Sequence, residues 1–136
     1  MAARGGRLRR CGSKPASPPV RGKITGVVLV VLFEALIVSA LKLTLRRQRP
    51  LNAAGRRFFR GYDRYAFPSG HAARMFCLAV LSGALDPGWG RLMWPVAVWV
   101  AASRVLLGVH HLGDVLVGGG IGAAVAWLAL RLTTLF

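Results

Sequence analysis

Three short clusters in this sequence combine residue types and spacings that suit the capture and attack of a phosphate. They are Lys42-x6-Arg49-Pro50, then Pro68-Ser69-Gly70-His71, then Ser103-Arg104-x5-His110-x3-Asp114. Lys42, Arg49 and Arg104 would supply fixed positive charge, and arginine's planar fork can hold two phosphate oxygens at once. Ser69 and Gly70 stand where a helix would begin, and the first N–H groups of a helix lack intrahelical partners and point toward an anion. His110 can attack phosphorus if its other ring nitrogen donates to Asp114, an i,i+4 partner in helical geometry that would fix the tautomer. His71 would then protonate the leaving oxygen, a task suited to a histidine near its usual pKa.

Each residue also has a plainer reading. Lys42 can be a snorkelling charge that ends an apolar helix, and Arg49, among Arg46, Arg47 and Gln48, can be one more headgroup contact. Arg104 resists this treatment, because an arginine inside an apolar span costs about 2.5–3.5 kcal/mol on insertion scales and usually marks a site. Pro68-Ser69-Gly70 is also an ordinary turn and helix start. Asp114 can merely cap a helix, and His111 with Asp114 at i,i+3 forms a pair that competes with His110.

The elements that must position these residues follow from composition. With 136 residues, 54% of them hydrophobic, and a mean hydropathy of +0.50, the chain has room for one domain whose apolar surface faces lipid or a large partner. The net charge of +15 is concentrated in residues 1–23 and 42–64. The first block is rich in Arg, Gly, Ser and Pro, which cannot bury enough surface to offset chain entropy, so residues 1–23 read as a disordered basic tail and residues 24–136 as a membrane domain. Cys11 and Cys77 are too few and too remote to suggest a disulfide framework.

Four apolar segments read as transmembrane helices: Ile24 to Leu45, Gly70 to Leu85, Leu92 to Val109 and Val115 to Leu130. The last three are short for a hydrocarbon core of roughly 30 Å, which predicts recessed ends. Crossing four times in alternation, they bring the end of the first, the start of the second and the turn between the third and fourth to one membrane face. All three clusters lie at that face. An all-α membrane bundle is therefore expected, with both termini on the opposite side. No Asp/Glu cluster or Cys/His set has the spacing of a metal site, so neither metal nor other cofactor is expected.

Together the clusters resemble the signature of the type 2 phosphatidic acid phosphatase superfamily, which also contains acid phosphatases and vanadium haloperoxidases. That signature, K-x6-RP, PSGH and SR-x5-H-x3-D, is matched at all eleven specified positions, and the resemblance covers about residues 24–134. It implies that His110 forms a phosphohistidine, that Asp114 is its partner and His71 the general acid, and that Lys42, Arg49, Ser69, Gly70 and Arg104 cradle the phosphate. Membrane members look like six-helix proteins, so with four candidate spans the other pair would precede the first helix, as expected of a truncated gene model, an alternative start or a reduced relative. The implied activity is metal-independent removal of phosphate from a lipid phosphate or diphosphate of the phosphatidate type. A polyisoprenoid diphosphate phosphatase and a catalytically inactive membrane scaffold are the alternatives. Lipid phosphate and membrane lipids are the expected partners, nucleic acid is not, and a homo-oligomer is allowed. An integral protein of the endoplasmic reticulum or plasma membrane is implied, with the site lumenal or extracellular.

Overall fold

The structure is a computed structural model that describes residues 20–47 and 65–132. These residues form four α-helices and no strand: α1 (Val20–Leu45), α2 (Gly70–Leu85), α3 (Pro87–Leu106) and α4 (Leu112–Leu132). Arg49 and the expected tail up to residue 19 lie outside the described residues, whereas residues 20–23, assigned above to the tail, already belong to α1.

Helix boundaries follow from local chemistry. Asp86 alone separates α2 from α3, and its extended backbone lets Oδ1 accept from the N–H groups of Gly88 (2.7 Å) and Trp89 (3.0 Å). With Pro87 at the first helical position, where no N–H is needed, α3 starts five residues before the expected Leu92. At the other end Gly108 adopts φ +64 and closes α3 after Leu106, so that Val109 is not helical as expected. Helix α4 in turn starts at Leu112, three residues ahead of Val115, and runs to Leu132. At 20 and 21 residues, α3 and α4 are long enough for a roughly 30 Å core at 1.5 Å per residue, and only the 16-residue α2 remains short. Replacing Asp86 with alanine removes the α3 cap, so a loss of about 1 kcal/mol is expected, seen as a lower Tm in detergent. An unchanged Tm would show that the cap contributes nothing.

Helix α2 is the centre of the bundle and packs against all three others, while α3 and α4 meet each other only slightly. Burial is inverted relative to a water-soluble protein. The interior is built from small residues such as Ala72, Ala73, Cys77, Ala79, Ala97 and Ala126, while Leu36, Trp99 and Leu106 are 68%, 75% and 83% exposed. Large apolar side chains outside and small ones between helices suit a bundle whose solvent is lipid, because close backbone approach replaces the hydrophobic effect as the source of helix association. By length and composition α1 from Arg21 and α4 can each cross a membrane, and α2 is a shorter apolar helix.

Close approach is greatest between α2 and α4. A Cβ on Gly122 would overlap the carbonyl oxygen of Ala73, and one on Gly118 would overlap that of Ser69. Gly118-x3-Gly122 is therefore the groove into which the start of α2 is pressed. At the far end, Gly90 meets Gly83 across the α2–α3 hairpin, where an added Cβ would lie 2.6 Å from the Gly83 Cα.

Candidate active site

The up-and-down path places the end of α1, the start of α2 and the α3–α4 turn together, as expected from the spacing of the clusters. The Ser69 N–H donates to the Asp114 carbonyl (2.9 Å), and the Ala66 N–H donates to the Arg47 carbonyl (2.8 Å). These two bonds stitch the α1 exit and the α2 entrance to the first turn of α4. Lys42 is buried, and a Cβ placed on Gly70 would lie 4.0 Å from its Nζ. The ammonium thus sits beside the N-terminus of α2, whose first turn carries no acidic residue. Both features favour an anion at this point.

Ser69 is fully buried at the N-cap of α2, yet its hydroxyl makes no cap bond, and neither its Oγ nor Arg104 Nε has a protein hydrogen-bond partner. Buried polar atoms are nearly always bonded, so each such exception calls for an explanation. His71 is exposed at the second position of α2, on the rim of the site.

The turn carrying His110 differs from its expected form. An i,i+4 pairing of His110 with Asp114 assumed unbroken helix from Ser103 onward, but the left-handed Gly108 interrupts it. Instead the N–H groups of Val109 and His110 both approach the Arg104 carbonyl, each at 3.2 Å, and His110 is buried in the bend. Asp114 is the third residue of α4, and its Oδ2 reaches back to the N–H of His111 at 2.9 Å, as the acidic member of a capping box does. The same oxygen lies 3.2 Å from His111 Nδ1, and Oδ1 accepts from Arg47 at 3.1 Å. The i,i+3 pair that competed in the sequence is therefore formed. Asp114 itself is fully buried, which makes these donors necessary to a carboxylate.

Two contributors escape a reading of the clusters alone. Arg47 occupies an unspecified position within the first cluster, and nothing in its immediate surroundings separates it from Arg46. Glu34, in the middle of α1, is fully buried with its Oε2 3.8 Å from Arg74 Nε on α2. Arg74 follows His71 by three residues, so the pair braces α1 against α2 beneath the site. An acid within an apolar span was the available signal, since such a residue is retained only where a partner offsets its burial.

Known proteins are similar to this chain in sequence and fold. Probable lipid phosphate phosphatase beta of Arabidopsis thaliana is 33% identical over 144 residues, covering 85% of this chain and 68% of the relative. Undecaprenyl-diphosphatase of Sulfolobus acidocaldarius is 31% identical over 121 residues, covering 82% of this chain and 57% of that protein. Among solved structures, the transmembrane PAP2 type phosphatidylglycerolphosphate phosphatase from Bacillus subtilis superposes with a TM-score of 0.65 at 26% identity, over 78% of this chain and 56% of that one. The chain thus spans between half and about two thirds of the length of these relatives. Residues 23–135, from the first turn of α1 past all three clusters, match the PAP2 superfamily, and with the shared fold this shows that the chain belongs to that superfamily.

Proposed function

We propose that this chain removes phosphate from a lipid-type phosphomonoester or diphosphate through a covalent phosphohistidine, without a metal. The observation that carries the reading is the buried, unpartnered Ser69 Oγ at the start of α2, where Lys42 also sits, together with a second such atom, Arg104 Nε, at the end of α3 that leads into the His110 turn. A phosphate would give each of them an acceptor. Arg49, in the first cluster, is assigned to the same cradle. Positive charge and helix N–H groups held in place before the reaction stabilise the charge that develops on the phosphoryl oxygens.

In the first step a ring nitrogen of His110 attacks phosphorus, the bond from phosphorus to the ester oxygen breaks, and His71 gives that oxygen a proton. In the second, water loses a proton to His71 and attacks phosphorus, the P–N bond breaks, and inorganic phosphate leaves. Asp114 orients the turn that carries the nucleophile and compensates its charge. A second reading has a specific observation in its favour: His111 Nδ1 faces Asp114, which would leave Nε2 of His111 as the attacking atom. The register of the third cluster favours His110.

The names of the relatives bring lipid phosphates and polyisoprenyl diphosphates forward as substrates. Phosphate release from phosphatidate, lysophosphatidate, sphingosine phosphate and isoprenyl diphosphates, measured in detergent, tests this directly. Activity is expected to persist in EDTA, and vanadate, which adopts the five-coordinate geometry of phosphate under attack, is expected to inhibit. A requirement for added Mg would overturn the metal-free mechanism, and failure on every substrate would favour the inactive-scaffold alternative.

A further inference from the structure

Arg74 is the only arginine or lysine in α2, and it stands just over one turn inside that largely apolar helix. A cation there is costly to insert and needs a use. Its ion pair with Glu34 explains only part of its presence. The contact runs from Nε to Oε2 at 3.8 Å, longer than a hydrogen bond, and among the described residues neither oxygen of the fully buried Glu34 is hydrogen-bonded. A buried pair stabilises only with close geometry and further hydrogen bonds, and Glu34 has neither. On the other partner, 49% of the Arg74 side chain is exposed. With Nε toward Glu34, the Nη end of the guanidinium fork is left for another acceptor.

The position of Arg74 says which acceptor. It lies three residues after His71 and four after Gly70, so the three share one side of α2, with about 5–6 Å between the Cβ positions of 71 and 74. Side chains of a helix lean toward its N-terminus, so residue 74 covers the turn of Gly70 and His71. Gly70 in turn lies beside Lys42, whose Nζ is 4.0 Å from a Cβ placed there. Around this turn Ser69, Ala72 and Ala73 are buried while His71 and Arg74 are exposed, so among the described residues the open side of the cradle is the one that carries both. A leaving group that takes its proton from His71 departs past Arg74.

We propose that Arg74 forms a second phosphate subsite, which binds the inner phosphate of a lipid diphosphate and selects diphosphates over monophosphates. This rests on the reading of the chain as a phosphatase of lipid-type esters and names the class it prefers. His110 attacks the terminal phosphorus, the bond from that phosphorus to the bridging oxygen breaks, and the bonding pair leaves on the bridging oxygen, which takes a proton from His71. The departing group is a lipid monophosphate, whose remaining negative charge the Arg74 fork meets. Water then releases inorganic phosphate from His110. A monophosphate ester has an alkyl carbon where the inner phosphate would be and offers Arg74 nothing to bind. Glu34 has a place in this scheme, because it orients the guanidinium before the substrate arrives, and the cost of ordering a long side chain then falls on folding rather than on binding.

The test compares farnesyl diphosphate with farnesyl monophosphate in detergent, as initial rates of inorganic phosphate release that give kcat/KM for each. Both carry the same hydrocarbon, so a defect in folding or in the shared cradle lowers both and cancels in their ratio. The wild-type ratio is expected to favour the diphosphate, and Arg74→Gln to lower that ratio by about tenfold or more. Arg74→Lys keeps the charge beside Glu34 but lacks the fork; it is expected to act in the same direction and replaces Arg74→Gln if that variant does not fold. Glu34→Gln removes the brace and leaves the guanidinium, so it should lower the Tm but shift the ratio less than Arg74→Gln. Equal losses on the two esters in Arg74→Gln, or a wild-type preference for the monophosphate, would overturn the subsite and leave the phosphatase reading intact. Release from neither ester would sink the phosphatase reading instead, and the subsite is then judged by binding. The methylene-bridged analogue of farnesyl diphosphate should raise the Tm of the wild-type protein more than farnesyl monophosphate does, and Arg74→Gln should abolish the difference; no difference in the wild type overturns the subsite.

Discussion

Replacing His110 with alanine is expected to abolish the phosphoenzyme and to lower the rate by about four orders of magnitude or more, because loss of a nucleophile leaves only binding and electrostatic effects. His111→Ala should leave a measurable enzyme, reduced because His111 is one of the groups that hold Asp114. The contrast matters because two histidines stand side by side and the carboxylate faces the second of them. His110 is buried in the bend, with its backbone N–H directed at the Arg104 carbonyl, which on the proposed mechanism would couple the arginine of the cradle to the nucleophile. His111 immediately precedes α4, and its N–H and Nδ1 both face the Asp114 carboxylate. Rapid quenching into alkali with labelled substrate, followed by peptide mapping, decides between them, since phosphohistidine survives base and is lost in acid. Label on His111, or label that persists in His110→Ala, would transfer the nucleophile's role to His111.

The second large effect is expected at the glycines of α4. A substitution of glycine by alanine within a helix ordinarily stabilises by up to about 1 kcal/mol, through the chain entropy that glycine wastes. At Gly122 the opposite sign is expected. An added Cβ would overlap the Ala73 oxygen and lie 2.9 Å from the Ala73 Cα, and these are backbone atoms that cannot rotate away. Overpacking of this kind costs typically about 1–3 kcal/mol, which exceeds the propensity gain. Gly118→Ala should be as damaging to stability and more damaging to activity, because the displaced backbone belongs to Ser69, 3.1 Å away at its nitrogen. That nitrogen donates to the Asp114 carbonyl, so the cradle and the carboxylate would be forced apart together. Gly113→Ala is the control, since nothing lies within 4 Å of a Cβ there. Thermal unfolding in detergent, paired with phosphate release, measures both effects. If Gly122→Ala unfolds at the same temperature as Gly113→Ala, the close approach of α2 and α4 is not what holds the bundle.

Much of the site is legible in the sequence because its chemistry is carried by residues that are costly to keep in an apolar chain. A lysine, an arginine or a histidine at the end of a membrane-crossing helix stands out against its background, and alternation of four apolar segments requires the three clusters to share one end. Lys42, Ser69, Gly70, His110 and Asp114 meet there for that reason. Composition likewise determined the all-helical, lipid-facing architecture, since apolar segments that cannot leave their backbone groups unpaired in hydrocarbon must close their hydrogen bonds within themselves. Tertiary structure decided what depends on contacts between segments. A glycine's role cannot be read until the opposing backbone is known, so Gly118 and Gly122 looked like ordinary members of a glycine-rich helix. Whether Asp114 turns toward His110 or His111 depended on the left-handed turn at Gly108, which breaks the helical spacing that i,i+4 counting presumes. The choice of Arg47 over its neighbour Arg46 as a donor to that carboxylate, and the pairing of Glu34 with Arg74, follow from the placement of helices around α2. Periodicity along one helix carries no information about such placement.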